Sequence, residues 1–184
     1  NDTTYGGSGG SIATTSINVN AALLAQHEYG HSFVNLADEY ESAYPSYPSC
    51  SDLSGSSPCE SNVTNVTSPT QIKWRSWITP ATLIPTPNDS LYEGIVGLFE
   101  GARYKSSGIY RSGYSCIMRY LGAPFCQVPS QSFVLKLYNG GWGDSGGINL
   151  IEPGTTSPAK NITITYPASQ VFQATTLSPV GGPL

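Results

Sequence analysis

The stretch HEYGHSFVNLADEY, which runs from His27 to Tyr40, decides the interpretation of this chain. It continues an apolar segment without proline that starts near Asn20, and Asn18 or Asn20 is suited to cap the amino end of a helix. Apolar residues and both histidines recur at steps of three and four and share one helical face: Leu23, Leu24, His27, His31 and Val34. The pattern predicts a helix over residues 20–36.

The two histidines of the chain lie four residues apart in this predicted helix. Because one helical turn takes about 3.6 residues, both imidazoles project from the same face. That geometry suits two neighbouring ligands of one tetrahedral Zn²⁺ ion. Glu28 lies about 100° further round the helix, where a carboxylate can take a proton from water at the metal and deliver it to a leaving amine. The motif therefore predicts zinc held by His27 and His31, with Glu28 as general base.

The stretch resembles the signature of the IgA-peptidase family of zinc metallopeptidases, a metzincin-like group. Further stretches are similar to that family: Tyr5–Gly10, Phe99–Tyr104 with Gly108–Arg111, and Cys116–Arg119 with Pro124–Cys126. The likeness spans roughly residues 5–138. It implies an α+β fold with a zincin-like catalytic domain, a long active-site helix, and endopeptidase activity on protein or peptide substrates. It does not imply immunoglobulin as the substrate.

A catalytic zinc site needs a third protein ligand and an open position for water. In metzincins the third ligand lies ten residues after the first histidine, and here that position is Ala37, which cannot bind metal. We expect Asp38 to be the ligand, with Glu39 as the alternative ligand or as a charged neighbour of the site. The usual glycine is replaced by Val34, but Asn35 tolerates the left-handed conformation that turns the chain.

Metzincins also carry a methionine-containing turn beneath the zinc. The resemblance assigns this turn to Ser115–Tyr120 and its methionine to Met118, whose alternative role is to fill a gap in the core. Some metzincins have a tyrosine two residues later, which is Tyr120 here, and Tyr110 competes for that role. Either phenol could stabilise a tetrahedral oxyanion.

The four cysteines close two short loops, and we expect the disulfides Cys50–Cys59 and Cys116–Cys126, with reduced thiols as the alternative. Five N-x-[ST] triplets are candidate acceptors for N-glycans: Asn1, Asn62, Asn65, Asn88 and Asn161. Together these features predict a secreted, extracellular glycoprotein.

Composition and charge argue against nucleic-acid-binding and membrane-spanning proteins. The net charge is -4 and no basic cluster occurs, which argues against nucleic acid as a partner. No apolar run approaches the ~20 residues of a membrane-spanning helix. We expect a catalytic region over 1–152 and, over 153–184, a linker and the start of a β domain that includes the alternating segment Asn161–Tyr166. Only 26 residues precede His27, so we expect the amino-terminal subdomain to be truncated or to lie on another chain of the same precursor.

A second hypothesis is a secreted glycoprotein module that binds zinc without catalysis. Glu28 argues against it, because a structural site has no use for a base at that position. Structural zinc also usually takes four protein ligands, whereas the motif and its continuation supply three.

Purified protein should contain about one zinc ion per chain, because the motif supplies ligands for one ion. His31→Ala should lose that zinc, since only one of the two imidazoles remains. Elemental analysis after dialysis measures both proteins, and stoichiometric zinc in the variant would contradict the assignment.

Overall fold

The structure is a computed structural model that describes residues 3–4, 6–139, 155, 157–158 and 171–174. Within these residues the fold is mixed α and β, with two helices and two small antiparallel sheets. None of the helices described is long and apolar enough to cross a membrane. The chain divides into two compact units, Asn1–Phe133 and Val134–Leu184. The boundary after residue 152 stays a prediction, and the predicted strand Asn161–Tyr166 lies outside the described residues.

Helix α1 spans Ala21–Val34, in agreement with the predicted helix. Its N-cap is Asn20, whose amide donates to Asn18 Oδ1 at 2.6 Å. The helix ends at Asn35, which adopts the left-handed conformation with φ 53° and donates its amide to the His31 carbonyl at 3.0 Å. Asparagine tolerates this conformation, so the chain turns sharply here and carries the following residues back toward the histidines.

The backbone of α1 lies unusually close to the turn that holds Met118. A Cβ atom at Gly30 would be 2.8 Å from Met118 Sδ, which is closer than real contacts allow. Glycine is therefore required between the two histidines for the helix to pack here. The fully buried methionine belongs to a small apolar cluster under the helix: Leu36, Cys116, Ile117 and Met118.

A short antiparallel hairpin, β1 (Gly7–Ser8) and β2 (Thr14–Thr15), lies on the same helix. A Cβ atom at Gly7 would be 2.6 Å from Glu28 Oε1, so a side chain at this position would displace that carboxylate. The glycine-rich segment therefore approaches the helix closely.

The second sheet has three antiparallel strands in the order β3-β5-β4. These are β3 (Val63–Thr64), β4 (Phe99–Ala102) and β5 (Lys105–Arg111). Ala102 pairs with Lys105, so Arg103 and Tyr104 form a two-residue turn. Both turn residues are left-handed, with φ 53° and 60°, as a hairpin turn of this length requires.

The long loop before β3 is closed by a disulfide between Cys50 and Cys59, as predicted. The two cysteines pack into an apolar cluster that also contains the residue preceding the predicted third ligand: Ala37, Cys50, Cys59, Val63, Ala102 and Ile109. Helix α2 spans Gln127–Asn139.

The predicted disulfide between Cys116 and Cys126 is wrong for this structure, because both are free thiols. They lie next to each other, and the Cys126 amide donates to Cys116 Sγ at 3.2 Å. A hydrogen bond from the Cys126 thiol is the main cause that lowers the pKa of Cys116 to about 7. The two sulfurs therefore interact as thiols rather than through a covalent bond.

Asn62, one of the predicted glycan acceptors, is inaccessible in the folded chain. Its side chain is fully buried, and its amide nitrogen donates to the Ala37 carbonyl at 2.9 Å and to Glu39 Oε1 at 3.0 Å. Asn65 is half-buried, and both the oxygen and the nitrogen of its side-chain amide form hydrogen bonds. Asn88 is exposed. The other two triplets, at Asn1 and Asn161, lie outside the described residues.

Replacing Cys50 and Cys59 by serine should lower the free energy of unfolding by about 2–3 kcal/mol, because the disulfide closes a short loop in the unfolded chain. Urea unfolding of both proteins measures the difference. Reduction should bring the parent to the same stability and leave the double variant unchanged. A double variant as stable as the oxidised parent would contradict the expectation.

Candidate metal centre

The two histidines of α1 are oriented by main-chain carbonyls. His27 Nδ1 lies 3.0 Å from the Ile117 carbonyl, and His31 Nδ1 lies 2.6 Å from the Leu36 carbonyl. A carbonyl only accepts hydrogen bonds, so each Nδ1 carries the proton and donates it. Each Nδ1 is thereby occupied, which leaves Nε2 as the ring atom that can bind a metal ion. The two Nε2 atoms are 3.1 Å apart and face each other.

Asp38 completes the group. Its Oδ1 atom lies 3.0 Å from His27 Nε2 and 3.2 Å from His31 Nε2. The three atoms form a nearly equilateral triangle, and three corners of a tetrahedron with ~2.0–2.1 Å arms are about 3.3–3.4 Å apart. All three side chains are largely buried, with Asp38 8% and His27 4% exposed. The structure thus brings together the three residues that the sequence predicts as ligands.

Three lone pairs this close repel each other unless positive charge lies between them, so the donor set fits a divalent cation. The pKa shifts of Asp38 and His31 reflect the same attraction between the carboxylate and positive charge on the imidazoles. Burial acts to raise the pKa of Asp38, but hydrogen bonds with His27 and His31 outweigh it and hold that pKa well below its usual range. Burial acts to lower the pKa of His31, but the hydrogen bond with Asp38 raises it. Without a metal ion, protons on the imidazoles meet the demand for positive charge.

The segment after α1 is fixed on both sides by main-chain hydrogen bonds. The Glu39 amide donates to the Met118 carbonyl at 2.8 Å, and the Arg103 amide donates to the Asp38 carbonyl at 2.9 Å. Asn62 accepts from the Ala37 amide at 2.9 Å. Successive side chains of an extended segment point to opposite sides, so only one of the two neighbouring carboxylates can face the histidines.

Glu39, the alternative ligand, points away from the histidines into the core. It is fully buried and accepts from Asn62, and its carboxylate lies close to the Cys116 and Cys126 sulfurs. Burial raises the pKa of Glu39 well above its ordinary value. The geometry therefore favours Asp38 at the metal position and gives Glu39 a place in the core behind it.

Glu28 lies beside this group, in a cavity of about 530 Å³ that the candidate ligands also line. The glycine-rich segment 6–10 also lines the cavity, as do Tyr40, Tyr47 and Tyr104. Burial raises the pKa of Glu28, against the opposing effects of His27 and His31. A carboxylate with a raised pKa holds a proton more readily, which suits a general base.

The tyrosine predicted to face the metal is not the one found there. Tyr120 is 46% exposed, is not among the residues that line the cavity, and stacks against Arg119 at 4.7 Å. Tyr110 packs against a different apolar cluster. Tyr104 reaches the centre instead and donates its hydroxyl proton to Asp38 Oδ2. No local pattern singles out Tyr104, because its position depends on a hairpin turn far along the chain.

Helix α1 supplies two imidazoles and the segment after it supplies a carboxylate to one point, beside a buried glutamate in a cavity, and this donor set fits a metal ion. The chain matches the family model described as IgA Peptidase M64 over residues 1–95, more than half of its 184 residues. It therefore belongs to this family of metallopeptidases, as its sequence motifs predict. The match contains α1 and the predicted ligands and ends before β4. No curated protein matches the chain.

The third ligand can be tested with two variants that keep side-chain size. Asp38→Asn should raise the Kd for zinc by more than ~100-fold, beyond the usual effect of residues that only contact a ligand. Glu39→Gln should change it by less than ~10-fold, because this side chain points away from the histidines. Competition with a chromophoric chelator measures both, and the reverse ranking would move the role to Glu39.

Proposed function

We propose that this chain is a secreted, zinc-dependent endopeptidase with a zincin-like catalytic domain. In this proposal His27, His31 and Asp38 hold the zinc, and Glu28 is the general base that acts on peptide bonds of protein or peptide substrates. One observation carries the proposal: the two Nε2 atoms and Asp38 Oδ1 meet within 3.2 Å of each other in a cavity that Glu28 also lines.

The donor set favours zinc over the harder cations. Two imidazole nitrogens and one carboxylate oxygen are usual ligands of zinc, whereas magnesium and calcium prefer oxygen alone. Three protein ligands are also the number that catalytic zinc sites use, with the fourth position left for water or substrate. The carbonyl partners of both Nδ1 atoms support the same interpretation, because they fix the ring orientations that zinc-binding histidines need.

Glu28 would move the proton in the proposed reaction. Zinc, when bound, supplies Lewis-acid activation of water and of the substrate carbonyl. Glu28 accepts a proton from the water as its oxygen bonds to the carbonyl carbon. It then donates this proton to the amide nitrogen as the C–N bond breaks, so that the elements of water are divided between the two new chain ends. The Gly7 main chain covers one side of this carboxylate and restricts its position.

The secreted location rests on separate features. The Cys50–Cys59 disulfide would persist in an oxidising compartment and not in a reducing cytosol. The exposed Asn88 lies in an N-x-[ST] triplet and is the described candidate most accessible to glycan transfer. Expression through a eukaryotic secretory pathway, followed by mass analysis, would show whether Asn88 carries a glycan and Asn62 does not.

Glu28→Gln is the decisive variant for function. It should keep the parent's zinc content and melting temperature and lower the rate of peptide hydrolysis by at least ~10²-fold, because only proton transfer is lost. The assay follows cleavage of an unstructured protein into internal fragments, with zinc removed by chelation and then restored. Glu93→Gln, an exposed glutamate outside the cavity, is the matched control and should hydrolyse like the parent.

Equal rates of cleavage by Glu28→Gln and the parent would contradict the proposed mechanism. If both proteins bind zinc and neither cleaves any protein substrate, the non-catalytic zinc module becomes the better description.

A further inference from the structure

Asp38 uses its two carboxylate oxygens for different partners. Oδ1 faces the two histidine nitrogens at 3.0 and 3.2 Å, and Oδ2 accepts the hydroxyl proton of Tyr104. The second oxygen is therefore turned away from the point where the three candidate ligand atoms meet. A free carboxylate could rotate about its last torsion and exchange the two oxygens, so a partner on Oδ2 restricts that rotation.

The turn that carries Tyr104 is built against the segment that carries Asp38. The Arg103 amide donates to the Asp38 carbonyl at 2.9 Å, and the Tyr104 amide donates to the Tyr40 carbonyl at 2.8 Å. Both turn residues are left-handed although neither is glycine, a conformation that is unfavourable for residues with a side chain. The hydrogen bonds to residues 38 and 40 offset this cost and hold the phenol at the carboxylate.

A second set of contacts fixes the same turn from outside the centre. The Arg103 guanidinium forms a bidentate ion pair with Glu60, at 2.7 and 2.8 Å, and donates to the Pro48 carbonyl. These two partners flank the Cys50–Cys59 loop. A planar guanidinium in a bidentate pair allows little movement, so the disulfide loop and the hairpin turn together form a rigid support for Tyr104.

We infer that Tyr104 is a positioning residue for the metal ligand Asp38: its hydroxyl holds Oδ2 so that Oδ1 alone faces the metal. This inference rests on the proposed function, since it takes Asp38 as a ligand. The phenol has one proton, and that proton is donated to Asp38. It is therefore not available for the oxyanion of a substrate, which is the role the sequence suggested for a tyrosine near this centre.

The two roles predict opposite results for Tyr104→Phe. A positioning residue acts on metal affinity, so the Kd for zinc should rise by ~10–100-fold, the usual effect of losing a group that orients a ligand. The kcat of the fully loaded variant should stay within about threefold of the parent, because no contact with the reacting atoms is lost. An oxyanion donor would give the reverse: an unchanged Kd and a kcat reduced by ~10²-fold.

Tyr47→Phe is the matched control. Its ring lies in the same cavity and contacts the Tyr104 ring at 4.7 Å, but it is not the phenol bonded to Asp38. Its Kd for zinc should stay within twofold of the parent. The metal-free melting temperatures of both variants should lie within about 2 °C of the parent, which separates loss of ligand positioning from general loss of stability.

Zinc affinity is measured by chelator competition and kcat at saturating zinc. An unchanged Kd in Tyr104→Phe overturns the inference, as does an equal rise in Kd in Tyr47→Phe. If the parent itself binds no zinc, both the proposed function and this inference fail. If the parent binds zinc and cleaves substrate while Tyr104→Phe has the parent's Kd, only the inference fails.

Discussion

The close approach of three lone-pair atoms is the constraint on which this structure depends. His27 Nε2, His31 Nε2 and Asp38 Oδ1 lie 3.0–3.2 Å apart, where they repel each other in the absence of positive charge. Such an arrangement is unfavourable in isolation, so the surrounding chain has to impose it. A cation at this point would offset the repulsion.

Main-chain groups hold most of this arrangement in place. The carbonyls of Leu36 and Ile117 orient the two rings, and the Met118 carbonyl accepts from the amide that follows Asp38. Carbonyl positions depend on the path of the backbone, so the centre depends on how closely the helix and the methionine turn pack. Gly30 sets that distance, since any side chain there would meet the methionine sulfur.

The sequence determined the parts of the centre that depend on local rules. The helical period places His27 and His31 on one face, and the left-handed tendency of asparagine turns the chain at Asn35, as the structure confirms. The motifs also identified the family. The short separation of Cys50 and Cys59 predicted their pairing, but the similar separation of Cys116 and Cys126 did not predict theirs correctly. The helical face and the turn at Asn35 depend on residues close together in the chain, where few alternative arrangements compete.

Only the tertiary structure decided which carboxylate and which tyrosine belong to the centre. Asp38 and Glu39 are adjacent and chemically alike, and the difference between them arises because hydrogen bonds to other segments fix which side of the extended chain faces the helix. Tyr104 contacts Asp38 across 66 residues, through a turn whose conformation no local pattern in Arg103 or Tyr104 predicts. Local periodicity specifies faces and turns, but contacts between distant segments depend on how the whole chain packs.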